Sequence, residues 1–316
     1  GMKPTGQVRT VDKLIRGERM KIFNKGFNFR QDGPGNRLVY HLQGCNMRCI
    51  WCSNPEGMKP DGGKEYSIDE IEDEILRSRM MFFGGGGVTF TGGEASLQHD
   101  ELLELLRRLK EKNIHTCIET NGTSAKLPLL LEYIDYLIMD FKHYDSDILR
   151  KFTGVGNENI RANFEYICSS GRQGHIRIPL INNVNTENPA GFAEYFSKHD
   201  TSNVVFEFLR YHEYGKDKWE EEYKVENGFV TDEKLKEFKQ KYPSTISWRL
   251  KSHAKVIDKH INPGETVNFV FAAQTNAVTG RTRPFLSGSA ILTAGKSDIL
   301  TKQNFPKIVC FLANRN

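Results

Sequence analysis

Along the chain, short apolar runs alternate with segments in which hydrophobic residues recur at the spacing of a helix. Short apolar runs, such as residues 88–91 and 204–211, have the length of buried strands. Between such runs, leucines at 102, 103, 105, 106 and 109 follow the spacing of an amphipathic helix. The pattern predicts strands at residues 37–43, 88–91, 115–119, 136–141, 174–180 and 204–211. It predicts helices at residues 67–81, 97–112, 127–133, 148–151, 160–170, 189–199 and 231–242.

This strand–helix order indicates a parallel sheet, because parallel neighbours must be joined by a crossover, which is usually a helix. Residues 20–43 add a hairpin-like start with a turn at Asp32-Gly33-Pro34-Gly35. About six strands favour an α/β fold in which the sheet rolls into a partial, TIM-like (β/α)6 barrel. Strand carboxyl ends build the site in such barrels. The polar residues that we expect at those ends are Cys45, Glu94, Glu119, Asp140, Lys142, Arg177 and His212.

The domain prediction follows from charge and turn residues. The chain carries a net charge of +4, and residues 251–316, with nine basic and three acidic residues, contribute +6, which leaves −2 for residues 1–250. Short β-runs at 267–271 and 289–293 predict a basic, β-rich C-terminal module at residues 249–316, which resembles the opening of a bacterial pleckstrin-type barrel. We expect the barrel at residues 20–248 and an extension outside the fold at 1–19, because Met20 is an alternative start.

Composition limits the class of protein. Hydrophobic residues make up 38% and charged residues 27%, and no apolar run approaches the roughly 20 residues that span a bilayer. The first 20 residues lack the apolar core of a signal peptide. Three of the six cysteines are clustered and three scattered, which is no disulfide framework and fits a reducing cytoplasm. No dense basic run is interleaved with aromatic residues, so nucleic-acid binding is not indicated.

Cys45, Cys49 and Cys52 form a C-x3-C-x2-C pattern within eight residues. Three thiolates this close can hold a 4Fe–4S cluster and leave one iron open, whereas electron-transfer clusters usually have four cysteine ligands. Zinc is the competing interpretation, but structural zinc sites close with four ligands. No fourth cysteine lies within 60 residues, and His41 is the nearest other candidate. The pattern therefore predicts a cluster with an open iron for a substrate or cofactor.

The cysteine pattern, with Trp51 before its last cysteine, resembles the signature of the radical S-adenosylmethionine (SAM) superfamily. Gly92-Gly93-Glu94 resembles the motif by which that superfamily binds the SAM amino group. Together with Asp32–Gly35, residues 115–122, 139–142 and 211–216, these motifs resemble the glycyl-radical-enzyme activating enzymes, of which pyruvate formate-lyase activase is the best-known type. The resemblance covers residues 20–245 in collinear order.

This resemblance implies a role for each matching residue. Cys45, Cys49 and Cys52 would bind the cluster. Glu119 would stand beside the SAM carboxylate in a site for a monovalent cation, although the family's pyruvate formate-lyase member has the shorter Asp there. Asp32, Gly33, Pro34 and Gly35 would lie near the incoming glycyl loop. The residues that would contact SAM are Trp51, Ser53, Asn54, Gly92, Gly93, Glu94, Asp140, Lys142, Arg177 and His212.

The resemblance also implies the reaction and the partners. SAM would be cleaved reductively at the cluster to a 5′-deoxyadenosyl radical, which abstracts hydrogen from a glycine of a partner enzyme. A reduced flavodoxin or ferredoxin would supply the electron. Residues 53–91 contain no cysteine, so we expect one cluster and none of the auxiliary clusters of some family members. Two alternatives stay open: a radical SAM enzyme acting on another peptide or small molecule, and a non-catalytic iron–sulfur electron carrier.

Overall fold

A computed structural model describes residues 19–240, 247–248, 266–271 and 286–291 of the chain. The chain divides into two units, Gly1–Arg249 and Leu250–Asn316. Of the extension predicted at residues 1–19, residues 1–18 lie outside the described residues, and Arg19 is the first residue of the first strand. None of the helices that the structure describes has the length and hydrophobicity needed to cross a bilayer.

Nine strands of the first unit form one sheet in the order β3-β1-β2-β4-β5-β6-β7-β8-β9. At one edge, β1 pairs antiparallel with both β2 and β3. All other neighbouring strands in the sheet, from β2 through β4 to β9, pair in parallel. The strands are β1 Arg19–Phe29, β2 Asn36–Leu42, β3 Lys64–Ser67, β4 Gly87–Gly92, β5 Thr116–Thr120, β6 Tyr136–Asp140, β7 Gly174–Leu180, β8 Val204–Arg210 and β9 Ser247–Trp248.

The sheet is open, with β3 and β9 at its two edges. Its six longer parallel strands, β2 and β4–β8, are the six that the hydrophobic pattern predicts. The predicted α/β fold with a partial (β/α)6 barrel is therefore confirmed. Because all six strands run the same way, their carboxyl ends lie along one edge of the sheet, where loops from different strands can meet.

Seven α-helices alternate with the strands in the described part of the chain. The first begins with the predicted capping box, in which the Ser67 side chain accepts from Glu70 N and the Glu70 side chain accepts from Ser67 N. The helices are α1 Ile68–Arg77, α2 His99–Glu111, α3 Leu127–Leu131, α4 Ser146–Thr153, α5 Glu158–Ser170, α6 Pro189–Phe196 and α7 Asp232–Gln240.

The alternation of each strand decides which residues pack under the helices. In β2, Leu38, Tyr40 and Leu42 point to one face and pack in a core that contains the buried leucines of α2. A second core lies between β6–β8 and α4–α7. At its centre the buried ring of Phe141 contacts Phe196, with ring centroids 5.0 Å apart. Both cores therefore use the helix-facing side of the sheet and leave the other face for polar side chains.

The structure differs from the sequence prediction most clearly in three places. Strand β1 extends over 11 residues, and the short polar strand β3, which pairs with it, was not predicted. The first helix ends at Arg77 and is followed by a separate 3-10 turn, Arg79–Met81, instead of continuing to residue 81. Arg177 is the fourth of the seven residues of β7 rather than at its end. It nevertheless lies opposite Asp140, the last residue of β6, because β7 is the longer strand.

The second unit is described only as a hairpin. Strand β10, Thr266–Phe271, pairs antiparallel with β11, Leu286–Ile291. Beyond this pair of strands, the β-rich module at residues 249–316 stays a prediction. Its resemblance to a pleckstrin-type barrel rests on residues that the structure does not describe and stays a prediction.

Replacing Phe141 by alanine should lower the free energy of unfolding by about 3–5 kcal/mol, because a fully buried ring leaves a cavity among well-packed neighbours. Equilibrium urea unfolding of the purified protein measures this. Leu129→Ala is the control, because that side chain is 55% exposed, and it should change the free energy by less than about 0.5 kcal/mol. Equal losses in the two variants would contradict the packing described here.

Candidate metal centre

The three cysteines lie on the loop that follows β2. Gly44 begins this loop in the left-handed region, with φ of +97°, which favours glycine. Main-chain hydrogen bonds anchor the loop on two sides. Gly44 N donates to Gly57 O at 3.0 Å, and Arg48 N donates to Thr153 O, at the end of α4, at 2.7 Å. The path of the cysteine loop is therefore held by elements far from it in sequence.

The end of β4 packs directly against this loop. Gly93 N donates to Leu42 O at 2.9 Å, and Glu94 N donates to Gly44 O at 2.7 Å. A Cβ atom on Gly93 would lie 2.2 Å from Gly44 O and 2.3 Å from Gly57 O. Only a glycine fits at this position. Gly93 is therefore required for the close approach of β4 to the cysteine loop, independently of any ligand that the motif binds.

The carboxylate of Glu94 joins the ends of β4 and β5. The residue is 1% exposed. Its Oε1 accepts from Ser96 Oγ and from Thr120 Oγ1, both at 2.6 Å, and its Oε2 accepts from Asn121 N at 2.6 Å. These bonds satisfy the carboxylate with protein donors. The predicted contact of Glu94 with SAM stays a prediction.

Asn121 connects this network to the cysteine loop. Its Nδ2 donates to Asn46 Oδ1 at 3.0 Å and lies 3.9 Å from Cys45 Sγ. The motif at residues 115–122 does not by itself predict the positioning role of Thr120 and Asn121. Their signal in the sequence was their place directly after the strand that carries Glu119.

All three thiols are in surroundings that disfavour a free thiolate. Burial raises the pKa of each, that of Cys49 to about 12 and that of Cys52 to about 11, while the charge of Lys142 opposes this shift. The Met47 N–H bonds Cys45 Sγ and the Asn54 N–H bonds Cys52 Sγ, each at 3.4 Å. A metal would supply the missing positive charge, because a coordinating thiol is deprotonated outright.

The donor set fits an iron–sulfur cluster. Within the described residues, no three His, Cys, Asp or Glu side chains are grouped so that they could hold a metal ion. A 4Fe–4S cluster makes a different demand, because each cysteine binds a separate iron of the cube. Three buried or half-buried thiols on one anchored loop, two of them already accepting N–H bonds, meet that demand.

An ion pair lies at the end of β6 beside the thiols. Lys142 Nζ donates to Asp140 Oδ2 at 2.7 Å, and the Lys142 side chain is 8% exposed. Burial alone would lower the pKa of Lys142, but Asp140 and the nearby Cys49 and Cys45 outweigh burial and raise it. The lysine is therefore a fixed cation next to the cysteine loop. The prediction that Asp140 and Lys142 share one side of the strand end agrees with this contact.

Glu119 and Arg177 form a second ion pair on the inner face of the sheet. The Arg177 guanidinium contacts the Glu119 carboxylate, and its Nε donates to Glu207 Oε2 at 3.0 Å. Thr91 Oγ1 also donates to Glu119, at 3.0 Å. The guanidinium neutralises the carboxylate that was expected to hold a monovalent cation and would repel such an ion. In this arrangement, Glu119 is a poor cation ligand.

The Asp32–Gly35 turn lies against the same inner face. Thr89 Oγ1 of β4 donates to Asp32 O at 2.7 Å, and Arg37 donates to Pro34 O at 3.0 Å. The main chain at Gly35 has a φ of +69°, and a Cβ there would lie 2.3 Å from Gly86 N. The turn is thus built into the open barrel rather than projecting from it.

The segment after β8 packs on the cysteine loop. Trp219 Nε1 donates to Cys52 O at 3.0 Å, and Lys218 Nζ donates to Asn54 Oδ1 at 3.0 Å. A Cβ on Gly215 would lie 2.4 Å from Ser53 Cα. These contacts bring the predicted SAM-binding residues Ser53 and Asn54 next to the segment that also carries His212.

His212 itself differs from the other predicted residues. It is exposed, and its ring stacks on Tyr214 with centroids 4.3 Å apart. Trp51 is half-buried and packs against the core beneath the loop. In the structure, the cysteine loop therefore lies next to both the Gly-Gly-Glu junction and the Asp140–Lys142 pair. The structure leaves His212 at the solvent-facing side.

Comparison with known proteins gives a family match to part of the chain. The model for the radical SAM superfamily matches residues 39–196. Pyruvate formate-lyase 1-activating enzyme of Escherichia coli is 34% identical over 204 residues, which cover 62% of this chain and 83% of the relative. Pyruvate formate-lyase-activating enzyme of Clostridium pasteurianum is 33% identical over 219 residues, which cover 67% and 91%.

Among solved structures, a radical SAM methyltransferase from Sphaerobacter thermophilus has a similar fold. The TM-score is 0.52 at 16% sequence identity, and the match covers 77% of this chain and 76% of the other. At this identity the likeness concerns the fold alone.

Substituting alanine for Gly93 should reduce cluster binding to a small fraction of the wild-type level, because its Cβ would displace the main chain of Gly44 and Gly57. Iron analysis and visible absorption after anaerobic reconstitution measure this. Gly26→Ala is the matched control, because a Cβ there meets nothing within 4 Å. Full cluster binding by Gly93→Ala would contradict the packing role of the glycine.

Proposed function

The chain belongs to the radical SAM superfamily, and from this premise we propose that it is the activating enzyme of a glycyl radical enzyme. It is a radical SAM enzyme by family, so it works with a 4Fe–4S cluster and SAM. The names of relatives that align over most of their length support the more specific role. The protein substrate would be an enzyme with a glycine that is converted to a radical.

One observation carries the proposal: the cysteine loop is bonded to the Gly93–Glu94 junction on one side and to the segment after β8 on the other. The Asp140–Lys142 pair lies beside the same loop. A loop for electron transfer alone would need no such surroundings. This arrangement supports a site in which a small charged molecule is held against the cluster.

The residues of the chain would hold SAM rather than react with it. The carboxylate of Asp140 and the ammonium of Lys142 lie side by side and complement the zwitterionic end of an amino acid. The partly exposed main chain of Gly92 and Gly93 would contribute contacts, because the Glu94 carboxylate already has its donors. When bound, the reduced cluster and SAM supply the 5′-deoxyadenosyl radical that takes a hydrogen atom from the partner's glycine.

The partners and the setting follow from the same proposal. The Asp32–Gly35 turn, on the inner face of the open barrel, would contact the glycine loop of the partner enzyme. A reduced flavodoxin or ferredoxin would deliver the electron. The reducing cytoplasm that the cysteine pattern indicates suits an oxygen-sensitive cluster. Arg177 pairs with Glu119 and would supply the positive charge in place of a monovalent cation. It would thereby position the Glu119 carboxylate near SAM.

Reconstituted anaerobically and reduced with dithionite, the protein should convert SAM to methionine and 5′-deoxyadenosine, measured by liquid chromatography. Cys49→Ala should abolish both the cluster and the product, because one iron loses its only protein ligand. Cys168→Ala, at a half-buried site in α5, is the control and should retain both.

Two results of this assay would contradict the proposal. An intact cluster without any 5′-deoxyadenosine would reject catalysis and leave the electron-carrier alternative. Turnover by Cys49→Ala would refute the ligand assignment. An organic radical signal on a co-expressed candidate enzyme, dependent on this protein, would separate an activating enzyme from other radical SAM enzymes.

The chain should bind a single cluster, because residues 53–91 provide no further cysteines. Chemical analysis of the reconstituted protein should find about four iron and about four sulfide per chain. A content of about eight or more of each would contradict this prediction and would indicate an auxiliary cluster.

A further inference from the structure

Two buried polar atoms beside the cysteine loop have no hydrogen-bond partner. In the part of the chain that the structure describes, His41 Nδ1 and Glu56 Oε2 are both shielded from solvent and unbonded. Buried polar side-chain atoms are nearly always satisfied, so each exception needs an explanation. None of the roles proposed above uses either atom.

His41 faces the interior of the open barrel. In β2, Tyr40 and Leu42 pack in the core under the helices. Residues at odd positions of this strand therefore point to the opposite face. Arg37 is on that face, where its Nε donates to Thr89 Oγ1 of β4 at 2.6 Å. His41 is further along the same face, close to the carboxyl end of β2.

Phe23 fixes the position of the His41 ring. The two rings pack at 5.6 Å between centroids with an angle of 53°. On its other side, the Phe23 ring fills the space at Gly57, where a Cβ would be only 2.6 Å from Phe23 Cε1. One aromatic ring thus packs against both His41 and the 3-10 turn Pro55–Met58, which carries Glu56.

Glu56 is held by one of its two oxygens. Lys218 Nζ is 3.1 Å from Glu56 Oε1, and the same ammonium donates to Ser53 O at 3.2 Å. Although 40% of the Glu56 side chain is exposed, its Oε2 atom is buried. The lysine therefore orients the carboxylate and leaves Oε2 as an acceptor.

His41 has the complementary capacity. Burial lowers the pKa of His41. The charge of Lys218 also lowers it, whereas the charges of Asp32 and Glu56 act in the opposite direction. A neutral imidazole carries one N–H donor and one acceptor nitrogen. A donor at His41 and an acceptor at Glu56 match the C=O and N–H groups that an extended peptide main chain presents.

We propose that His41 Nδ1 and Glu56 Oε2 bind the main chain of the incoming glycine loop, after side-chain rotations that uncover the two buried atoms. The inference rests on the proposed function and names two residues that recognise the loop. His41 is on β2, three strand spacings from the Asp140–Lys142 pair on β6, which is about 14 Å. This separation favours the protein substrate over the amino-acid end of SAM as the ligand of His41.

The test uses a short peptide as the probe, because main-chain recognition does not depend on side chains. Acetyl-Ala-Ala-Gly-Ala-Ala-amide, with deuterium at both glycine α-positions, is added to the reduced holoenzyme with SAM. When the glycine C–D bond breaks homolytically, the deuterium forms the new C–D bond of 5′-deoxyadenosine, and the unpaired electron stays on glycine. Mass spectrometry of the 5′-deoxyadenosine measures this transfer, and calorimetry measures peptide affinity.

The variants are His41→Phe, which keeps a ring for Phe23 to pack on, and Glu56→Gln, which keeps the length of the side chain. Each should weaken peptide binding and deuterium transfer at low peptide concentration about three- to tenfold, the loss expected for one hydrogen bond. Formation of 5′-deoxyadenosine without peptide should be unchanged. Glu220→Gln is the control, because the exposed Glu220 pairs only with Lys59 in the described structure.

The outcomes separate this inference from the proposed function. Wild-type protein that makes no 5′-deoxyadenosine would reject the proposed function itself. Wild-type protein that makes it but takes no deuterium from the peptide would overturn the main-chain inference alone. Unchanged transfer in both variants would mean that water satisfies the two atoms. If the variants keep an intact cluster but form less 5′-deoxyadenosine without peptide, the two atoms bind SAM instead. Each of these two results in the variants would overturn the inference.

Discussion

The rest of the site depends on one close main-chain contact, where the end of β4 meets the cysteine loop. Glu94 N bonds Gly44 O, and the absence of a side chain at Gly93 lets the two backbones approach. The Glu94 carboxylate then ties this junction to Thr120 and Asn121 at the end of β5. Through Asn121 the same network reaches Cys45. The position of the cysteine loop therefore depends on how the ends of the parallel strands β4 and β5 are arranged.

The inner face of the sheet carries charges that a protein core normally avoids. Arg177 is 4% and Glu207 1% exposed, and Arg177 pairs with both Glu207 and Glu119. Buried ion pairs of this kind contribute little net stability, because desolvation offsets their attraction. Stability instead comes from the helix-facing side, where the rings around Phe141 pack. The two faces thus differ: one packs the core, and the other carries the charged side chains that the proposed function uses.

Much of the fold could be predicted because its signals are local. The six parallel strands follow apolar runs, and Ser67 with Glu70 marks the start of α1. The strand β3 was missed because Lys64–Ser67 is short and polar and is a strand only through its pairing with β1. Arg177 was expected at a strand end, but its register is set by the greater length of β7. Pairing partners that are distant in sequence decide both features.

By itself, the sequence determined the chemistry: three thiolates at cluster spacing, two glycines before Glu94, and charged residues after successive strands. These are properties of residue types and short spacings, so they can be recognised without coordinates. Only the tertiary structure decided which groups are already engaged. It bonds the Glu94 carboxylate to Thr120 and Asn121, pairs Glu119 with Arg177, and leaves His41 Nδ1 and Glu56 Oε2 without partners among the described residues. Hydrogen bonds form between atoms that the folded sheet brings within about 3 Å, and sequence separation carries no information about that distance.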